Sequence, residues 1–453
     1  MVKDKPRELA LNILCSIEKK GVYSGNYLDA AFSENPGLDL RDRAFTGNLV
    51  QGVTRWKMRL DWIVKSFSKT PLKKIDPVIL NIIRLALYQI FFLDRVPESA
   101  AVDRAVEQVK EQKGHSHITS YVNGLLRNIC RNKDSISFPD KKTSCVSYLS
   151  HFYSFPAWYV ERLCNESGPG FTEDLLKAQN NFPELNIRVN TLKTNPAKLV
   201  RRLSDEGISA QSAEYVPECL ILNNFTGRIE KLKSFKRGLF QVQDQAAQAV
   251  SHLLKPVPGS RILDVCAGLG GKTTHLLEII KGEGSVTALD TDNKRLRKLK
   301  ETAERLGIKN ITTIVSDAMD SLTGKVSQRF DRILVDAPCS GLGTIARHPD
   351  IKWNRTEPDI KRMGRVQKRI LENTAPLLEK GGLLLYVVCT FTREENRTVV
   401  DNFLRHSNDM VLCDLREYVP AWGMRLIDKE GFFRSYPGRH NMDGFFAALF
   451  KKK

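Results

Sequence analysis

Arg261-Ile-Leu-Asp-Val-Cys-Ala-Gly-Leu-Gly-Gly-Lys-Thr-Thr-His275 decides how the chain is read. Ile262 to Val265 has the character of a short buried strand, and Gly268, Gly270 and Gly271 follow at once. Lys272 to Lys281 then has the spacing of an amphipathic helix. Strand, glycine turn, helix is how an α/β domain opens a ligand crevice. The glycines allow a tight turn and close backbone approach, and the helix start offers unpaired N–H groups. A triphosphate loop needs G-x-x-x-x-G-K-S/T. Gly271-Lys272-Thr273 fits its end, but Cys266 stands where its first glycine belongs. The dinucleotide pattern G-x-G-x-x-G fails at Thr273. A third reading is a site for S-adenosylmethionine. Val286-Thr-Ala-Leu-Asp290 favours it, a second strand ending in an acid about 20 residues on, where such folds hold a ribose. A turn that serves packing alone is the fourth.

A chain of 453 residues predicts two or three domains, and 42% hydrophobic content is enough for real cores. Its 70 Lys+Arg against 52 Asp+Glu leave a net charge of +18, which favours a polyanionic partner, most simply nucleic acid. The nine cysteines form no Cys-x-x-Cys pair, so neither a disulfide framework nor a zinc site is indicated, and a reducing, cytoplasmic setting fits better. Met1 to Lys20 reads as a charged amphipathic helix without a signal-peptide core. The most apolar stretch, Val78 to Leu93, carries Asn81, Arg84 and Gln89, and predicts a buried helix rather than a membrane span.

Residues 1–135 read as all helix, with segments around Arg7 to Ile17, Arg41 to Val53, Arg59 to Ser66, Pro77 to Phe92, Ala100 to Lys110 and Ser116 to Cys130. Arg131 to Thr143 looks like a linker. Residues 145–235 predict a small α+β subdomain: helices at Trp158 to Cys164, Glu173 to Asn180 and Pro196 to Glu206, and strands at Leu185 to Asn190, Ser209 to Val216 and Cys219 to Leu222. Arg188, Asn190 and Lys193 on the first strand face either a nucleic acid or simply water. Residues 236–453 form the third region. There, strands at Ile262 to Val265, Val286 to Asp290, Ile311 to Val315, Ile333 to Asp336 and Leu383 to Val388 alternate with helices, the order of a parallel, doubly wound, Rossmann-like sheet. Gly431 to Tyr436 and Gly444 to Phe450 read as a closing antiparallel pair, and Lys451 to Lys453 as a frayed end.

In such a sheet the ligand edge is the carboxyl edge. Two strand ends there carry cysteine: Asp336-Ala-Pro-Cys339-Ser-Gly341 and Val387-Val-Cys389-Thr390. Each alone is most simply a small buried hydrophobe. As a pair beside a methyl-donor crevice they make chemical sense. Carbon 5 of a pyrimidine is a poor nucleophile until a thiolate adds at carbon 6. A free thiol ionises near pH 8.5, so it wants positive neighbours, for which Lys272, Arg347 and Lys352 are candidates.

The helical region resembles the NusB family of RNA-binding domains in Asp42-Arg-Ala-Phe45, Gly52-Val-Thr-Arg55, Arg84-Leu-Ala-Leu-Tyr-Gln89, Val96-Pro97 with Ala101-Val102, and Val122-Asn-Gly-Leu-Leu-Arg127. The rest resembles the RsmB/NOP family of RNA cytosine-C5 methyltransferases, in its branch acting on 16S ribosomal RNA. The residues that carry this are Asp264 to His275, the acids Asp290, Asp317 and Asp336, Asp336 to Gly341 with Arg347-His-Pro-Asp-Ile-Lys-Trp353, Cys389-Thr390 with Glu394-Glu-Asn396, and Asp443-Gly-Phe-Phe446. The chain departs from the family at Gly268-Leu269, usually Ala-Pro, and at Val387-Val388, usually Ser/Ala-Thr. The resemblance implies a multi-domain protein: an all-α NusB-like domain, a small α+β RNA-binding subdomain and a Rossmann-like methyltransferase domain. It implies Cys389 as the nucleophile and Cys339 as the group assisting proton removal or release. Cys266, Ala267, Gly268, Leu269, Gly270, Gly271 and Lys272 would hold the methionine end of S-adenosylmethionine, Asp290 its ribose and Asp317 its adenine side. Asp336 would hold the cytosine edge or the donor's amino group. No metal is implied. The implied partner of this monomer is 16S ribosomal RNA or a small-subunit assembly intermediate, and no membrane. The base must leave its stack, and RNA binding should weaken as salt rises. DNA enzymes use a Pro-Cys thiol instead, which here would be Cys339. Rival functions are a transfer RNA cytosine-C5 methyltransferase and a non-catalytic RNA-binding assembly factor.

Overall fold

A computed structural model describes residues 4–20, 24–113, 116–322, 324–326 and 328–453; Met1 to Lys3 of the expected first helix lie outside them. The chain forms two compact units, residues 1–181 with 345–354, and residues 182–344 with 355–453.

The first unit is helical. Its long helix Leu40–Phe67 covers two stretches that read as separate helices, because nothing between Val53 and Arg59 breaks the pattern and Asp39 caps its start through Asp42 N. Pro77–Phe92 is the central helix. Asp76 caps it, Pro77 occupies its first turn, and twelve of its residues are buried. Its polar residues are all spoken for: Arg84 bonds Asp61 and Glu18, Asn81 donates to Glu18, and Gln89 accepts from Arg7. Leu49, Val53, Ile63, Ile82, Ile83, Leu126 and Ile129 close around it. Each such side chain stabilises the fold by about 1.5–3 kcal/mol. Three further helices, Cys145–Tyr153, Ala157–Ser167 and Pro169–Asn180, complete this unit. So does the segment Ile345–Asn354. There Lys352 Nζ donates to Arg55 O, Ser154 O and Asn180 Oδ1, and Trp353 Nε1 to Thr54 O. Among the described residues, no helix is long and apolar enough to cross a membrane.

The second unit holds two sheets. The small one is antiparallel, in the order β2-β3-β1-β4, from β1 (Leu185–Val189), β2 (Ala210–Ser212), β3 (Cys219–Leu222) and β4 (Phe240–Val242). The second of these is only three residues long, shorter than the sequence pattern implied. The large sheet contains β5 (Ser260–Val265), β6 (Gly284–Asp290), β7 (Ile311–Val315), β8 (Phe330–Asp336), β9 (Leu378–Val388), β10 (Met410–Cys413), β11 (Phe433–Arg434) and β12 (Phe446–Lys452). Its order is β10-β12-β9-β8-β5-β6-β7, with β11 beside β12. The run β9-β8-β5-β6-β7 is parallel, and β12 joins it antiparallel. The chain end does not fray. Lys451 and Lys452 pair with Val411 and Met410 of β10, a strand too short and too mixed to be read beforehand.

Candidate active site

The chain leaves β5 toward β6 and β7, then crosses back to lay β8 on the other side of β5. That reversal is the topological switch point where ligands bind in open α/β sheets. In spatial order the carboxyl ends of β7, β6, β5, β8 and β9 lead into Asp317, Asp290, the Cys266–Lys272 loop, Asp336 with Cys339, and Cys389. The fold therefore brings every expected site residue to one sheet edge.

The loop after β5 is wound through left-handed backbone at Cys266 (φ 63°), Gly268 (φ 57°) and Gly270 (φ 77°). Cys266 is the unusual member, because a side chain there is strained, and such strain is commonest at functional sites. Gly270 has no alternative. A Cβ there would lie 2.3 Å from Leu299 Cγ. Asp290 fastens the loop: its Oδ2 accepts from Gly268 N at 2.8 Å and its Oδ1 from Asp292 N at 2.9 Å. Ala267 N donates to Leu289 O. Helix Gly271–Ile279 starts on this loop with its first N–H groups at the crevice. It is buried on most sides rather than amphipathic, since Thr273 to Glu278 are all inside. Leu269 is 57% exposed at the loop tip. Asp317 is also exposed and accepts from Met319 N. Burial lifts the Asp264 carboxyl to about 7, opposed by the Thr273 hydroxyl that donates to it at 2.6 Å.

This crevice fits S-adenosylmethionine. A glycine-lined turn without side chains, a helix start and a strand-end carboxylate suit its methionine end and ribose, and Asp336 offers a further carboxylate.

Across the switch point, Cys339 Sγ lies 3.1 Å from Cys389 Sγ. Both cysteines are half-buried and free, and the separation exceeds the roughly 2.05 Å of a disulfide. The Cys389 thiol, burial and Glu395 together push the Cys339 thiol well above its usual range. Lys272 Nζ donates to Asp336 Oδ2 at 2.6 Å. Burial opposes the charge on Lys272, but the Asp336 carboxylate outweighs it and the ammonium is held above its ordinary range. The two cysteine loops are also locked through backbone. Gly343 N donates to Cys389 O, and Gly444 N to Gly343 O. A Cβ on Gly343 would meet Gly444 O at 1.9 Å.

Of the three cations expected near the thiols, only Lys272 belongs to this unit. Arg347 and Lys352 lie in the segment that belongs to the helical unit. Burial and Arg55 hold the Lys352 amine well below its ordinary range, and its three acceptors fix it there. The expectation that Arg188 and Asn190 face a nucleic acid or water is corrected as well. Arg188 is fully buried. It donates to both Glu278 oxygens at 2.9 Å, to Thr274 Oγ1, to Gly271 O and to Gln243. Asn190 donates to Gly238 O and Leu306 O, and Lys193 to Arg237 O and Arg305 O. Arg188 and Asn190 turn inward because the small sheet packs on helices of its own unit, whereas Lys193 stays exposed with its ammonium on two carbonyls. Arg188 thereby becomes a brace for the helix that starts at the crevice, a role its strand alternation concealed.

His275, which ends the opening motif, is also a packing residue. Its Nε2 and that of His252 both face Glu218 Oε1. Burial first, then Arg188, depresses His275 to about 3, so the ring is neutral. The donor atoms of Glu218, His252 and His275 lie within 4.8 Å of one another, but both Nε2 atoms already share a carboxylate oxygen as hydrogen-bond partners.

Residues 251–451 match the family described as 16S rRNA methyltransferase RsmB/F, residues 4–131 the NusB family, and residues 155–227 the RsmF/B-like ferredoxin-like domain. Probable ribosomal RNA small subunit methyltransferase B of Synechocystis sp. is 35% identical over 448 residues, 98% of this chain and 99% of that protein. The protein of the same description from Bacillus subtilis is 33% identical over the full length of both. The ribosomal RNA small subunit methyltransferase B of Proteus mirabilis is 33% identical over 91% of each. Among solved structures, that of PH0851 has a TM-score of 0.80 at 28% identity, covering 99% of both chains. A methyltransferase homolog protein from Pyrococcus horikoshii has a TM-score of 0.59 at 29% identity, over 69% of this chain and all of that one. With paired thiols and a glycine-lined crevice on one sheet edge, and relatives matching from end to end, the chain belongs to the RsmB/F family of RNA methyltransferases.

Proposed function

We propose that the protein forms 5-methylcytosine in 16S ribosomal RNA, as a monomer in the cytoplasm, acting on free RNA or a small-subunit assembly intermediate. In this reading residues 1–135 and 145–235 grip RNA and residues 236–453 carry the chemistry. The observation that carries it is the sulfur pair, 3.1 Å apart at the ends of adjacent parallel strands beside the crevice.

Cys389 Sγ attacks carbon 6 of the extruded cytosine and gives carbon 5 enamine character. S-Adenosylmethionine, when bound, supplies the methyl group to carbon 5. A base then takes the carbon 5 proton, carbon 5–carbon 6 becomes a double bond again, and the Cys389 thiolate leaves. Cys339 assists that proton removal or the release. The family resemblance, not the titration of the pair, assigns the attack to Cys389. Cys266 to Lys272 hold the methionine end, Asp290 the ribose and Asp317 the adenine side. Asp336, 31% exposed at its side chain and bonded to Lys272 through Oδ2, keeps its other oxygen for the cytosine edge or the donor's amino group. No metal takes part.

Methyl transfer to unmethylated 16S RNA tests the assignment. Cys389→Ala abolishes it, and full activity in that variant overturns Cys389 as nucleophile. Cys339→Ser accumulates a protein–RNA adduct that survives denaturation, whereas intact turnover without adduct removes Cys339 from the release step.

A further inference from the structure

Glu395 is fully buried two residues before helix Arg397–His406. Its carboxylate ties the two thiol loops together. From the Cys339 loop, Ser340 N donates to Oε1 at 2.7 Å and Ser340 Oγ to Oε2 at 2.5 Å. From the Cys389 loop, Thr392 Oγ1 donates to Oε2 at 2.8 Å, with Thr390 Oγ1 at 3.4 Å. Gln367 Nε2 reaches Oε1 at 3.1 Å and Pro338 O at 3.0 Å, and Tyr386 OH donates to Glu395 O. Ser340, Gln367, Tyr386, Thr390 and Thr392 are all buried as well. Among the described residues no cation pairs with this carboxylate.

We propose that Glu395 is a positioning residue for the methyl-transfer step: it clamps the Cys339 and Cys389 loops in register and sets a carboxylate on the Cys339 side of the pair. The proposal rests on the two-thiol reading above and deepens it. Two parallel strand ends alone do not hold two side chains at a fixed separation. A carboxylate accepts on two oxygens from donors of both loops at once, and its charge strengthens each bond, whereas an amide has one accepting oxygen. A buried negative charge also disfavours a second one nearby. The ionisable groups around the thiols are each other, Glu395, Tyr386, the Lys272–Asp336 pair, whose ammonium acts on Cys389, and Arg355, which donates to Ser340 O from behind.

Two variants separate the clamp from the charge. Glu395→Ala removes both. Glu395→Gln retains the shape, because its amide can face the Ser340 and Thr392 hydroxyls, which reverse to accept. In full-length protein, Glu395→Ala is expected to lower the single-turnover methylation rate roughly 100-fold with S-adenosylmethionine affinity within twofold. Glu395→Gln is expected to lower it roughly tenfold. It should also move the pH midpoint of Cys339 alkylation, followed by peptide mass spectrometry without RNA, down by about one unit. An unchanged rate in Glu395→Ala overturns the proposal, as does a loss of donor affinity in step with the rate. An unmoved Cys339 profile in Glu395→Gln overturns the charge component. If Glu395→Ala does not fold, Glu395→Gln and Ser340→Ala decide by the same readings. The alkylation arm needs no RNA, so it stands or falls apart from the Cys389→Ala and adduct tests of the reaction itself.

Discussion

Glu278 and Glu395 are both shut away from water, one behind the donor crevice and the other behind the thiols, yet they are satisfied differently. Glu278 meets the Arg188 guanidinium with both oxygens. Glu395 meets four neutral donors at 2.5–3.1 Å. The first arrangement fixes a helix to a sheet and only has to be rigid. A cation there does no harm, because Arg188 also braces the loop through Gly271 O. The second lies beside two thiols that, in the proposed reaction, differ in ionisation. A guanidinium in that cage would favour a thiolate at Cys339 too and erase the difference between the sulfurs. Buried charge is thus paired where only position matters and left unpaired, but fully hydrogen-bonded, where its field is useful.

The comparison can be broken most forcefully at Arg188. Arg188→Met leaves Glu278 buried without its counter-charge and should cost about 3–5 kcal/mol in urea unfolding, while Arg188→Met with Glu278→Leu should recover most of it. A single variant as mild as the double would show that the pair is not what holds the helix. Gly343→Ala, forced against the Gly444 carbonyl, should cost roughly 3 kcal/mol and separate the thiol loops, seen as loss of methyl transfer with donor binding retained.

His275 sharpens the electrostatic side. Its ordinary value is 6.5 and the folded value about 3, so the unfolded chain takes up the proton first. Stability is therefore full above about 6.5 and lost as pH falls, by about 2 kcal/mol at pH 5. Glu218, held below its usual range by both histidines against the cost of burial, acts in the same direction at lower pH. His275→Asn should flatten the melting temperature between pH 7.5 and 5, and an unchanged slope would place the acid sensitivity elsewhere. The smallest effect belongs to Glu395→Gln, about 1 kcal/mol in unfolding despite its larger effect on rate. A stability loss as large as that of Arg188→Met would make the two carboxylates equivalent after all.

Much of this was legible in the sequence. The strand–glycine–helix stretch, the alternation of strands and helices and the two strand-end cysteines lead to the sheet edge on which they all sit, because a parallel sheet leaves them nowhere else. What the sequence concealed depends on contacts between distant segments. Arg188 occupies a strand whose polar and apolar residues alternate as if one face were wet, and only the packing of the small sheet turns that face inward. Glu395 stands in a short Glu394-Glu-Asn396 run that identifies the family but does not say which acid is buried. Lys352, three residues beyond Pro349 and rich in charged neighbours, looked like a cation for the thiols. The pairing of β10 with the last strand depends on residues 36 or more positions apart, the nearest pair being Cys413 and Leu449.

The course of the chain after Thr344 bears on any attempt to trim the protein. Ten residues, Ile345–Asn354, are borrowed by the helical unit before Arg355 returns. Removing everything before Phe182 would delete Arg55, Ser154 and Asn180, the anchors of Lys352, and leave Ile351 and Trp353 in water immediately downstream of the Cys339 loop. A cut at Phe182 therefore strips the partners from a segment next to the Cys339 loop, and inactivity of such a shortened enzyme would not separate that loss from loss of its RNA grip.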